Sequence, residues 1–258
     1  MTTGRTTINW SRVYADGYDL SGYARKFGPL TQEFEATALA ALSDGVKNVV
    51  VGVPTLGIGT LTGFFDNTAT SGLHVVASGA GTPRTVMVAL GIQAVPAQGD
   101  PAYCGIFEQS SYHSVEENEY VTAALKFGAT NGITPLAYVK PWGVLLLPKS
   151  ALSSPTVNTA TGVDDNGASS ALGGFAVYQG FSGNGTATLK IQDAATNTDG
   201  SFADLSGATT GSLNWSTPQA GLIALGTTAT VRRYLRYQIV WGTATAVTLA
   251  LAFVRALF

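Results

Sequence analysis

Thr186-Ala-Thr-Leu-Lys-Ile-Gln-Asp193 is the stretch on which the fold turns. Side chains alternate faces along a strand, so Ala187, Leu189 and Ile191 share one face while Thr188, Lys190 and Gln192 share the other. This is the pattern of a half-buried antiparallel strand, one face on a core and one in water. Outward from it the same grammar recurs: short apolar or alternating runs separated by Gly, Asn, Asp and Pro. Strands are expected at Leu30–Thr37, Ile58–Phe65, Arg84–Leu90, Tyr103–Gln109, Tyr120–Phe127 and Trp142–Leu147 in the first half. Gly174–Phe181, Tyr234–Trp241 and Ala246–Arg255 continue the series in the second. Helical signals are few. Leu39, Leu42, Val46 and Val49 fall at spacings of three and four and predict a short helix within Ala36–Val49. Thr70–Ser78, opened by Thr or Ser and closed by Gly79, predicts another. No strand–helix rhythm is present, so the expected class is mainly β.

The 258 residues fit one large domain or two ordinary ones. The polar, small-residue run Ser150-Ala-Leu-Ser-Ser-Pro-Thr-Val-Asn-Thr-Ala-Thr-Gly162, followed by Asp164-Asp-Asn-Gly-Ala-Ser-Ser170, reads as a linker or long loop. The expected division is therefore 1–149, a linker over 150–172, and 173–258. Only 12% of residues are charged, where an average soluble domain has about 25%. With 45% hydrophobic residues and a net charge of −2, intrinsic disorder is excluded. Fourteen basic against 16 acidic residues leave no cationic excess for sequence-independent nucleic-acid binding. A lone Cys104 excludes a disulfide-stapled scaffold. Charge normally keeps a monomer soluble, so a sparsely charged exterior points to burial against neighbouring copies. The first ten residues lack the apolar run of a secretory signal. Ala244–Phe258 is too short for the ~20 residues that span a bilayer and reads as a buried terminal strand. No membrane partner is expected.

Catalytic and metal constellations fail on inventory. His74 and His113 are the only histidines, at no zinc-binding spacing, and Cys104 sits in an alternating β pattern as a small buried thiol. Ala195-Thr-Asn-Thr-Asp-Gly200 resembles the inside of a calcium loop, but Ala195 and Ser206 stand where its first and twelfth ligands belong. A turn between strands explains the same letters. Gly57-Ile-Gly59 lacks the third glycine of a dinucleotide fingerprint. No cofactor is expected, and the chain reads as a non-enzyme. Arg232-Arg-Tyr-Leu-Arg-Tyr237 is the one basic, aromatic-interleaved cluster. As a strand it sets arginines over rings or against neighbouring carboxylates.

Several segments in order resemble bacteriophage tail tube (major tail) proteins. They are Asp16-Gly-Tyr-Asp-Leu-Ser-Gly-Tyr23, Gly28-Pro-Leu with the Gln32–Thr37 strand, Leu42-Ser-Asp-Gly-Val-Lys47 and Gly59-Thr-Leu-Thr-Gly-Phe-Phe-Asp66. Phe107-Glu-Gln-Ser-Ser-Tyr112 and Ala124-Leu-Lys-Phe127 complete the set, which covers about the first 135 residues. The second half, through Gly185–Leu205, Arg233–Arg236 and Leu249–Arg255, resembles a β-sandwich module fused to phage virion proteins. The resemblance implies a tail-tube-like β-barrel or sandwich with one or two short helices, joined to an immunoglobulin-like or jelly-roll sandwich. It implies a virion protein of the tail, made in the cytoplasm of a bacterial host. Its partners would be copies of itself in stacked rings and other tail or virion proteins. Double-stranded DNA would pass through the lumen without specific binding. One tube domain per chain implies hexameric rings, two imply trimeric ones. The second reading is a capsid-decorating, fibre or baseplate protein whose C-terminal sandwich contacts capsid or host glycan.

Physical chemistry agrees with a ring. Open sheets have edges that invite pairing, and a tube completes them with neighbouring copies. A lumen passing DNA must be hydrophilic and not basic. On Leu30–Thr37 the acidic positions Glu33 and Glu35 are expected to face the channel. Leu42, Ser43, Asp44, Gly45, Val46 and Lys47 are expected in the loop that reaches the next ring.

Overall fold

A computed structural model describes residues 6–39, 48–92, 94–117, 119–128, 141–155, 161–164 and 168–256. The chain starts with a tight hairpin, β1 (Ser11–Ala15) and β2 (Tyr18–Asp19), with Ala15 opposite Tyr18. Its two-residue loop is Asp16-Gly17 with φ of 50° and 83°. Both angles are left-handed, as the hairpin turn that matches strand twist demands, and Asp-Gly is the favoured pair for it. Then come β3 (Ala24–Lys26), β4 (Leu30–Leu39), β5 (Asn48–Phe64), the short helix α1 (Leu73–Ala77), β6 (Pro83–Leu90), β7 (Pro101–Glu117) and β8 (Tyr120–Gly128). The second half carries β9 (Trp142–Ser153), β10 (Val163–Asp164), β11 (Gly174–Gly183), β12 (Thr186–Ala194), β13 (Ala203–Asn214), β14 (Gln219–Ala224), β15 (Tyr234–Trp241) and β16 (Ala246–Arg255).

Two sheets hold these strands. The larger, of 12 strands, runs β14-β11-β16-β9-β7-β6-β1-β2, with β8, β5, β4 and β3 branching from the far end of β7. The smaller has the order β10-β15-β12-β13. All pairings are antiparallel.

Strands β11 and β16 lie between two cores. On one face, Ala176, Tyr178, Leu249, Leu251 and Phe253 pack with Leu189, Ile191, Leu235 and Ile239 of the small sheet. On the other, Phe175, Val177, Ala250, Ala252 and Val254 pack with Tyr14, Met87, Ala102 and Cys104 of the first half. Alternation thus sends the bulky residues of Leu249-Ala-Leu-Ala-Phe-Val254 one way and mostly small ones the other. A fully buried Leu or Phe contributes about 1.5–3 kcal/mol, which makes these two strands the stabilising centre. Trp215 closes the first core: its indole N–H donates to the Ala187 carbonyl at 3.0 Å, and its ring meets Tyr178 edge-on. A Cβ at Gly180 would stand 2.6 Å from the Trp215 ring, so glycine makes the room. A third core, with Leu61, Leu125, Phe107 and Tyr103, lies under α1 and β8.

The mainly β expectation holds, and each expected strand is present. A helix is present within the Thr70–Ser78 stretch expected to hold one, but only over Leu73–Ala77, with Gly72 rather than Thr or Ser at its N-cap. The helix expected over Ala36–Val49 is corrected. Ala36–Leu39 are strand β4 and Asn48–Val49 strand β5, paired Leu39 to Asn48, and the residues between lie outside those described. The cross-strand ladder overrides the local three-and-four spacing. The linker expected from residue 150 is also corrected, because Ser150–Ser153 are the end of β9. They pair with Ala246–Leu249 of β16, and Leu152 lies against the core. A polar alternation whose apolar member finds a buried face is a strand, whatever its overall polarity. Strands of both halves share the large sheet, and Gln179 fastens them. Wholly buried, it accepts the Gly17 N–H at 2.7 Å and donates to the Thr85 carbonyl at 2.8 Å.

Candidate functional site

Two surfaces stand out, a ribbon and a groove. The ribbon is the outer part of the β4–β5 hairpin. Asn48–Thr55 pair with β4 alone among the described residues, and β8 joins β5 only from Ile58 onward. The opposite edge of β4 has no strand partner among the described residues. Between Phe34 and Ala36 the register advances three residues on β5 for two on β4. The extra residue therefore lies in Gly52-Val-Pro54, and β4 keeps its alternation. Pro54 lacks an N–H for the ladder, and such residues settle at bulges. Positions 33 and 35 accordingly share a face of β4. Glu33 is exposed, and Phe34, on the other face, is 44% exposed. Leu42, Ser43, Asp44, Gly45, Val46 and Lys47, expected in an inter-ring loop, lie outside the described residues.

The groove lies where the β1–β2 turn meets the second half. Gly17, Tyr18, Asp19 and Tyr23 form one wall, Thr70 and Ser71 the end before α1, and Lys149, Phe181, Thr217 and Pro218 the other wall. Its volume is about 510 Å³. The Lys149 ammonium donates to Asp19 Oδ2 at 2.8 Å and lies 4.7 Å from the centre of the Phe181 ring. The Ser21 N–H donates to Asp19 Oδ1 at 3.0 Å. Burial pushes the Asp19 carboxyl up, but the bonds from Lys149 and Ser21 outweigh it and hold the group below the ordinary aspartate value. The walls are held from behind. Arg84 pairs with Asp16 Oδ2 at 2.9 Å, the Thr85 N–H donates to Asp16 Oδ1 at 2.9 Å, and the Tyr14 ring meets Phe181 edge-on at 5.0 Å.

The other chemistry-bearing residues are accounted for by packing. Cys104 is buried in β7, where desolvation raises its thiol pKa and keeps it protonated. His74 Nδ1 meets the Tyr112 hydroxyl at 2.8 Å beneath the Phe65 ring, and His113 is exposed on β7. Asp199-Gly200 forms a short 3-10 turn between β12 and β13, as a turn reading requires. Arg236, 4% exposed, lies 4.2 Å over the Phe202 ring and pairs with Asp199, while Arg233 forks onto Asp164. Arg233 and Arg236 thus take the ring-and-carboxylate role expected of the cluster, and Arg232 lies 3.9 Å from Asp193 Oδ1. Among the described residues no group of three His, Cys, Asp or Glu converges as a metal site.

Sequence reasoning missed the groove. Its signal was Asp16-Gly17, a hairpin pair in plain view, but nothing local foretells that Lys149 and Phe181, far along the chain, complete the wall.

No protein-family model and no curated protein matches the sequence. Among solved structures, the chain is similar to the Dit protein of phage SPP1, described as a paradigm of the hub adsorption apparatus in phages infecting Gram-positive bacteria. The match has a TM-score of 0.34 at 12% identity and covers 96% of this chain and 99% of that one. Similarity of this size assigns the chain to no family.

Proposed function

We propose that this chain is a structural, non-enzymatic protein of a bacteriophage tail. Within that class we read it as a tail tube subunit, assembling with its own copies into stacked rings around a channel for double-stranded DNA. The observation that carries the reading is the β4–β5 ribbon. A two-stranded ribbon is marginal in water on its own and becomes stable when a further strand or surface covers it. The sequence of this one, Val49-Val-Val-Gly-Val53, offers no run of charges to blunt an edge. A neighbouring copy in a closed ring supplies the cover and leaves no lateral edge free. The ordered tail-tube-like motifs and the sparse charge of the chain support the same reading. In it, Glu33 and Glu35 line the lumen, DNA passes without specific contact, and other tail proteins meet the ends of the stack.

Negative-stain microscopy of the purified protein tests this directly. Rings or tubes with a central channel are expected; discrete monomers, or trimers without a channel, overturn it. Rings that never stack keep the ring and remove the tube. Tubes carrying Glu33→Lys with Glu35→Lys are expected to assemble and to impair DNA passage. Normal ejection through such tubes removes both residues from the channel wall.

A further inference from the structure

The groove between the β1–β2 turn and the second half is given no task by ring assembly, and its chemistry is specific. A volume of about 510 Å³ falls within the ~300–1,000 Å³ of small-molecule sites. Among its described lining residues the only two charged ones, Asp19 and Lys149, neutralise each other at 2.8 Å, and the ammonium is further occupied by the Phe181 ring. Recognition of a phosphate or carboxylate relies on an uncommitted cation, and that of an amine on an uncommitted anion. The groove has neither among its lining residues. It has hydroxyls instead. Those of Tyr18, Tyr23, Thr70, Ser71 and Thr217 make no hydrogen bond to another group among the described residues. Each can both donate and accept. The two half-buried tyrosines add flat apolar surface beside polar tips. A ligand complementary to this set is uncharged, carries many hydroxyls and has an apolar face. That is the chemistry of a pyranose ring.

We infer that this groove is a binding site for a neutral saccharide, gripped by the hydroxyl rim and laid against the tyrosine rings. The walls are set before the ligand arrives, since Arg84 and Thr85 fix the Asp16 turn and Gln179 holds the Gly17 N–H. A preformed site spends little of its affinity on ordering. The inference does not rest on ring formation, because every residue invoked belongs to a single chain.

Titration calorimetry of the full chain tests it with chitotriose, maltotriose and mannotriose as neutral probes and with sialyllactose and inorganic phosphate as charged ones. At least one neutral trisaccharide is expected to bind, and the charged probes are expected not to compete with it. Tyr23→Ala is expected to weaken binding at least about tenfold. Thr217→Ala, an exposed change that leaves the fold intact, is expected to weaken it severalfold. Heat from none of the three neutral sugars overturns the inference. So does binding of phosphate at this groove, or neutral-sugar binding that survives both substitutions unchanged.

Discussion

Strand β16 and the Val49–Val53 stretch of the β4–β5 ribbon are both rich in aliphatic residues, and the molecule treats them in opposite ways. β16 is flanked by β9 and β11 and buried on both faces by the chain's own side chains. The outer ribbon has one strand neighbour and a free edge among the described residues. Apolar content alone therefore does not tell where the cover comes from. A strand enclosed by its own chain stabilises the subunit, whereas a strand left open on one side offers an edge that a further strand or surface can cover.

The sharpest way to break this comparison is Phe253→Ala, which empties a buried ring from the strand held on both sides. A loss of about 3–5 kcal/mol in urea unfolding is expected; a small loss would show that β16 is not the stabilising centre. Gln179→Leu comes next. It strips the Gly17 N–H and the Thr85 carbonyl of their partner, and about 1–3 kcal/mol is expected to go, read by the same titration. Phe34→Lys on the ribbon is expected to leave subunit unfolding within about 0.5 kcal/mol. In sedimentation, however, the same variant is expected to shift toward smaller species, and an unchanged profile takes β4 out of the interface.

The smallest effect belongs to Lys149→Met, at most about 1 kcal/mol near neutral pH for a pair this exposed. Its pH dependence has a definite sign. The folded Asp19 carboxyl titrates below the ordinary value of 3.8, so the pair stabilises above that value. The contribution disappears as pH falls through the lower folded value. Unfolding curves of the two proteins are therefore expected to converge on acidification. A gap that widens in acid contradicts the assignment.

Much of the fold was legible because period-two alternation survives wherever one face is buried. Thr186–Asp193 announced itself in this way, and Ala246–Arg255, buried on both faces, by its largely apolar run. What was not legible has physical causes. Ser150–Ser153 looked like a linker because only Leu152 of the four is a large apolar residue, and its value depends on β16 lying opposite. Ala36–Val49 carries helical spacing that a cross-strand ladder overrides. β13 and β14 escaped notice because Ala203–Asn214 is mostly exposed and Gln219–Ala224 is short. The acidic positions on β4 were visible as an alternation in sequence; in the fold Glu33 is exposed, and so is Phe34 on the other face. The groove was invisible because its two walls lie far apart in sequence and are joined by long-range contacts such as Asp19 with Lys149.

The position of β16 also has a temporal meaning. It fills the slot between β9 and β11, yet it leaves the ribosome after both of them. Until then the nascent polypeptide holds an unfilled gap in the middle of its large sheet, and long-range pairings of this kind close slowly. The ribbon on β4–β5 is synthesised much earlier, but the sheet that bears it is closed only by β16. Translation thus sets an order within the fold: the large sheet closes only after the ribbon at its other end has been made.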